Sequence, residues 1–241
     1  MTLRRFPNTD EARLKVLKTT YNKSKNINPR DLAFSQATFV KLRYIYPRFM
    51  QAYDTHRKSY VNRINAYKNC NDAFKKAKMY LSHFIQVLNL AILRDEVDIN
   101  ERKYLGIDID DDHVPFIKEE EDLIHWGRKI IKGEKLRVLR GGNPIYNPKI
   151  ALVNIEFERF ITFLRYKENF HNVCERSLLK LEKIREEVDN IILKIWNEVE
   201  IHYSELLPNL KRKSAEKYGI KYASKKVKFA LISKKLVKAA I

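Results

Sequence analysis

SQATFVKLRYIYPRFMQAYDTHRKSYVNRINAYKNCNDAFKKAKMYLSHFIQVLNLAILRDE, residues 35–96, contains no glycine and a single proline, Pro47. A stretch of this length without turn-forming residues predicts helix. Phe39, Tyr46, Tyr53, Tyr60, Tyr67, Phe74, Leu81 and Leu88 recur every seven residues along it. A companion row, Leu42, Phe49, His56, Arg63, Cys70, Ala77 and Phe84, is apolar at its ends and polar in its middle. Paired rows at a spacing of seven are the mark of long helices packed side by side. Residues 149–207 form a second stretch without glycine or proline, with the row Val153, Phe160, Lys167, Cys174, Leu181, Val188 and Ile195.

Around these two stretches the chain repeats its order. A short helix is expected from Thr9 to Lys23, behind a capping box made by Asn8 and Glu11. A loop with Asn28-Pro29 leads into the first long stretch, which closes at Tyr104-Leu105-Gly106-Ile107. A second short helix is expected from Glu119 to Arg140, then a loop with Asn147-Pro148, the second long stretch, Pro208, and Tyr218-Gly219-Ile220. Phe84 and Val87 match Trp196 and Val199. The expected fold is all-α, an internally duplicated up-and-down helical bundle, with repeats over residues 1–107 and 108–220 packed as one domain and a basic tail over 221–241. Such a bundle needs each long stretch to fold back as a hairpin, with tips near Arg63 and Asn172, so that polar middles become thin tips. The alternative is two continuous helices of roughly 60 residues in an antiparallel coiled coil, each roughly 90 Å long at the helical rise per residue.

Composition supports a folded helical chain. Of 241 residues, 44% are hydrophobic and 32% charged, with only 6 glycines and 7 prolines, too few for a β-fold with its frequent turns. Two cysteines form no disulfide framework and suit a reducing compartment. The N-terminal residues lack the apolar core of a signal peptide, and no apolar run is long enough to cross a membrane. A cytoplasmic protein is expected.

The net charge of +18 is concentrated at the ends. Residues 1–30 carry eight Lys/Arg against two Asp/Glu, and residues 211–241 carry eleven against one. The body is nearly neutral. Lys211, Arg212, Lys213, Lys225, Lys226, Lys228, Lys234 and Lys235 are therefore the candidate contacts for an anionic partner. In the tail, Phe229, Ile232 and Leu236 are interleaved with the lysines, as in segments that lie on membranes or dock on partners.

Chemistry-bearing sets are sparse. Asp108, Asp110, Asp112 and Glu119 match positions 1, 3, 5 and 12 of a calcium-binding loop, but His113 stands where that loop needs its glycine, at position 6. They remain weak metal candidates beside the plainer reading of an acidic linker. Diiron-type bundles need two Glu-x-x-His motifs; this chain has one, Glu168 with His171, along with Asp122/His125 and Glu198/His202. Gly141-Gly142, flanked by Arg137 and Arg140, could approach a phosphate but lacks a P-loop ending. The Tyr row with its neighbouring Arg63 and Lys68 could stack bases, but that spacing belongs first to a packing seam. No catalytic residue and no cofactor is assigned.

The segments PNTDEARLKVLKTTY, YLSHFIQVLNLAI, EEEDLIHWGRKII and ILKIWNEVE give the chain a resemblance, over residues 6–220, to an uncharacterised family of all-helical proteins from Bacteroidetes-type bacteria. The resemblance implies a bacterial cytoplasmic protein and transfers no activity, cofactor or site. The expected function is a non-enzymatic helical scaffold or protein-interaction protein, with an unknown protein or a second copy as partner. The alternatives are nucleic-acid binding through the basic termini and a metal-binding bundle.

Overall fold

A computed structural model of the chain describes residues 3–109 and 113–223. Among the described residues there are six α-helices and no strand: α1 (Asp10–Ser24), α2 (Gln36–Leu93), α3 (Arg102–Leu105), α4 (Glu120–Leu139), α5 (Ile150–His202) and α6 (Pro208–Glu216). The all-α expectation holds. No helix is long and apolar enough to cross a membrane among the described residues.

The hairpins expected at Arg63 and Asn172 do not form. α2 runs unbroken for 58 residues and α5 for 53. Neither place offers a glycine or proline to turn the chain, and the polar middle has another explanation. Ser59, Ala66, Cys70 and Ala73 on α2, and Cys174 and Ser177 on α5, are buried. The polar residues His56 and Arg63 are half-buried beside these small buried side chains, so they mark no exposed tip. Pro47 is exposed, and the bond it cannot make, to the carbonyl of Arg43, is lost at a solvent-facing position.

The tyrosine row is not the seam. Its companion is: Leu42, Phe49, Cys70, Ala77 and Phe84 are buried. Tyr60 and Tyr67 are 46% and 44% exposed, whereas Leu81 and Leu88 at the end of the same row are buried. A row spaced by seven drifts about 20° per heptad around a straight helix, which carries it from the flank into the core.

The chain divides into two compact units, which cut across the boundary between residues 1–107 and 108–220. The terminal unit comprises Met1–Arg57 and Arg176–Ile241; the central unit is Lys58–Glu175. The terminal unit thus holds α1, the first part of α2, the last part of α5, and α6. Leu17, Leu42, Phe49, Val188, Ile192, Trp196, Ala215 and Tyr218 fill its core. The central unit holds α4, the first part of α5, the last part of α2, and α3, around Leu81, Phe84, Leu88, Leu105, Leu123, Ile130, Val153 and Phe160. Within each unit the two long helices are antiparallel, since their paired residue numbers run in opposite directions. In the terminal unit Arg48 pairs with Glu187 and His56 with Ser177. In the central unit Tyr67 pairs with His171 and Lys76 with Glu156.

Local sequence explains the ends of the short helices. α1 is capped by Thr9, whose hydroxyl accepts from the Ala12 N–H at 3.2 Å, one residue later than the Asn8 cap expected. α4 begins with a capping box of Glu119 and Asp122. α3 stops at Gly106 (φ 65°), and the turn after α6 passes through Gly219 (φ 82°). Both angles lie in the left-handed region that glycine enters without strain.

Candidate functional site

Residues 3–5 and 221–223, far apart in sequence and each within a basic end of the chain, pair in the terminal unit. Arg4 forms an antiparallel bridge with Tyr222. The Arg5 N–H donates to the Lys221 carbonyl at 2.7 Å, and the Ala223 N–H to the Leu3 carbonyl at 2.8 Å. Residues 211–223 are anchored beneath this pairing. Ala215, Tyr218 and Ile220 are buried, and the Thr20 hydroxyl of α1 donates to the Tyr218 carbonyl at 2.8 Å. The Tyr222 hydroxyl donates to Glu200 at 2.8 Å, and the Arg212 guanidinium lies over the Tyr222 ring. Burial first, and then the bond to Glu200, raise the Tyr222 phenol above its ordinary range, so it stays protonated. Arg4 donates to Asn197 at 2.8 Å and lies 3.6 Å from Glu200.

Of the residues expected to contact an anion, Lys211 and Arg212 are half-buried on α6 and Lys213 is exposed. Lys225, Lys226, Lys228, Lys234 and Lys235 lie outside the described residues. The pairing also brings in Arg4, Arg5 and Lys221. Nothing in local sequence marks Leu3 to Arg5 as partners of Lys221 to Ala223, because the register between them is set by the fold beneath.

Of the four metal candidates, Asp108 and Glu119 lie among the described residues. Asp110 and Asp112 lie outside the described residues. Asp108 is exposed, and Glu119 serves as the N-cap of α4. Asp122 accepts from the backbone N–H groups of Glu119 and Lys118 at 2.9 and 3.0 Å, and these bonds hold its carboxyl below the usual range. Glu198 caps the start of α2, accepting from the Ser35 N–H at 2.8 Å and the Thr38 hydroxyl at 3.0 Å. His171 meets the Tyr67 hydroxyl at 3.2 Å and Glu175 at 3.1 Å. Among the described residues no three His, Cys, Asp or Glu side chains converge as metal ligands.

Two polar clusters in the central unit compete for attention. Glu120 accepts from the Lys167 ammonium at 2.8 Å and from the Cys70 thiol at 3.6 Å, at the edge of an open pocket of about 500 Å³ lined also by Tyr67, Asn71 and Phe74. Burial, reinforced by the charge of Glu120, pushes the Cys70 thiol up to about 11. The thiolate that nucleophilic chemistry requires is suppressed there. Neither Cys70 nor Cys174 is in a disulfide.

The second cluster is the buried Arg137. It donates to Glu134 at 2.7 and 2.9 Å, to Glu101 at 2.5 Å and to the Asn143 carbonyl at 2.5 Å. The guanidinium flanking Gly141-Gly142 is therefore committed to α4, the turn before α3 and the following loop, and is not offered to a phosphate. Both clusters hold helices in place.

No family model, curated protein or solved structure matches this chain.

Proposed function

We propose that this chain is a non-enzymatic helical interaction protein that engages an anionic partner through the surface where its two basic ends pair. The antiparallel bridge between Arg4 and Tyr222 carries this reading, because it sets Arg4 and Arg5 of one basic end beside Lys221 of the other. A near-neutral body with its charge gathered at one place suits a scaffold that presents a single binding surface. The duplication over residues 1–107 and 108–220 belongs to the same proposal: each repeat runs from a shorter helix, α1 or α4, into a long one, α2 or α5. So does the resemblance over residues 6–220, and with it a bacterial cytoplasmic setting.

The test is affinity purification at low salt of the full chain, of a chain ending at Ala223, and of Lys213→Glu/Lys217→Glu. The partner is expected to leave the full chain as salt rises and to be depleted from both variants. Partners held equally by all three, and indifferent to salt, would remove the proposal.

A further inference from the structure

We infer that the anionic partner is a lipid bilayer surface, engaged by α6, the turn before it and the end of α5. This inference rests on the reading of the paired basic ends as the binding surface. Within ten residues of chain, Ile201 (71%), Leu206 (41%), Leu207 (71%) and Leu210 (52%) are exposed. Phosphate recognition makes no use of such side chains, whereas an interfacial helix buries them at the boundary between headgroups and acyl chains.

The cations are placed to accompany them. Ala215 marks the side of α6 that faces the core. Leu210, Lys213 and Lys217 share the opposite side at positions i, i+3 and i+7, and all three are exposed. Lys221 and Arg5 continue the positive charge at the bridge. Lipid headgroups would meet the lysines while the leucines enter below them, so charge and apolar area act together.

The aromatic residues of this surface argue against the other anionic macromolecule. Single-stranded nucleic acid needs open rings on which bases stack. Here the Tyr222 ring lies under Arg212, Tyr218 is buried, and Tyr203 packs against Tyr218. Apart from Phe6, 38% exposed and edge-on to Trp196, the large apolar side chains left open here are aliphatic. The adjoining sequence repeats the theme, with Phe229, Ile232 and Leu236 among Lys225, Lys226, Lys228, Lys234 and Lys235.

The experiment is vesicle co-sedimentation of the full chain at low salt, with phosphatidylcholine alone and with about 30% phosphatidylglycerol added. The protein is expected in the pellet with anionic vesicles and in the supernatant with neutral ones. Leu207→Ser/Leu210→Ser is expected to weaken binding to anionic vesicles roughly tenfold. Both leucines are exposed, so the helical circular dichroism of that variant should match the parent. Lys213→Glu/Lys217→Glu is expected to abolish the preference for anionic vesicles. Equal pelleting of the leucine variant, or no pelleting with anionic vesicles, overturns the inference. The same chains are titrated against a fluorescent single-stranded oligonucleotide. Salt-sensitive oligonucleotide binding without vesicle binding overturns the lipid inference and leaves the anionic-partner reading standing. If neither probe binds and no salt-sensitive partner co-purifies, both fall.

Discussion

Arg137 in the central unit and Arg13 in the terminal unit perform the same task in different surroundings. Each ties a short helix to its neighbours through carboxylates. Arg137 is buried with Glu134, and Glu101 completes its contacts. Arg13 is only part-buried; it donates to Asp189 at 2.7 and 3.0 Å while Arg185 donates to Asp10 at 2.8 and 2.7 Å, so α1 and α5 exchange two forked pairs. The same kinds of element are thus held by a desolvated lock in one unit and by a partly hydrated clasp in the other. Cutting a desolvated lock strands charge away from water, whereas a hydrated clasp lets water replace the lost partner.

This difference can be broken by substitution. Arg137→Met leaves Glu134 buried without its cation and is expected to destabilise the protein by about 3–5 kcal/mol in urea unfolding. If it costs less than Arg13→Ala, the comparison fails. The central unit should also keep Cys70 unreactive. With the thiol raised from 9.0 to about 11, alkylation of Cys70 at pH 8 should be about a hundredfold slower than for an ordinary thiol. The stability gained by keeping it protonated is fully present below pH 9.0 and falls as the pH rises toward 11. Rapid labelling of native protein at pH 8, followed by peptide mapping to Cys70, would contradict the burial described.

Close packing gives the next effect. A Cβ on Gly133 would come within 2.2 Å of the Tyr104 carbonyl, so Gly133→Ala must push α4 away from α3 and should cost about 1–3 kcal/mol in the same unfolding experiment. In the terminal unit Arg13→Ala removes a part-buried pair and should cost about 1 kcal/mol, with part of the loss masked at high salt. The smallest effect belongs to Asp122. Its carboxyl titrates lower in the folded chain, so its capping contribution is present above the ordinary carboxylate range and is lost as pH falls through the folded value. Asp122→Asn should flatten that part of the acid limb of stability against pH. An unchanged acid limb would show that the cap does not titrate with folding.

Much of the fold was legible in the residues. Absence of glycine, with Pro47 as the single proline, marks both long helices, and Gly106 and Gly219 mark two turns. The errors share a physical source. The polar residues His56 and Arg63 suggest exposed tips, yet both are half-buried and lie among the buried small residues Ser59, Ala66, Cys70 and Ala73. The tyrosine row looked like the seam because its spacing is regular, yet regular spacing cannot say which of two parallel rows faces a partner. For the site, the charge of each end is plain in the sequence, and so are Lys211 and Lys213 of α6. The roles of Arg4 and Arg5 and the exposure of Leu206, Leu207 and Leu210 are not legible there, since an apolar residue carries no such signal until its exposure is known.

By itself the sequence determined the class of structure and the distribution of charge. Helical class follows from local backbone preference and the scarcity of breakers, and charge follows from composition, whereas the unbroken length of α2 and α5 does not. Only the tertiary structure decided which part of α2 joins which part of α5, that the compact units cut across the order of the chain, and that the two basic ends pair as one surface. Those outcomes depend on burial and on contacts between residues as distant as Arg4 and Tyr222. Packing selects such contacts from many that the sequence allows, because free energy is gained only when the whole apolar face is covered at once.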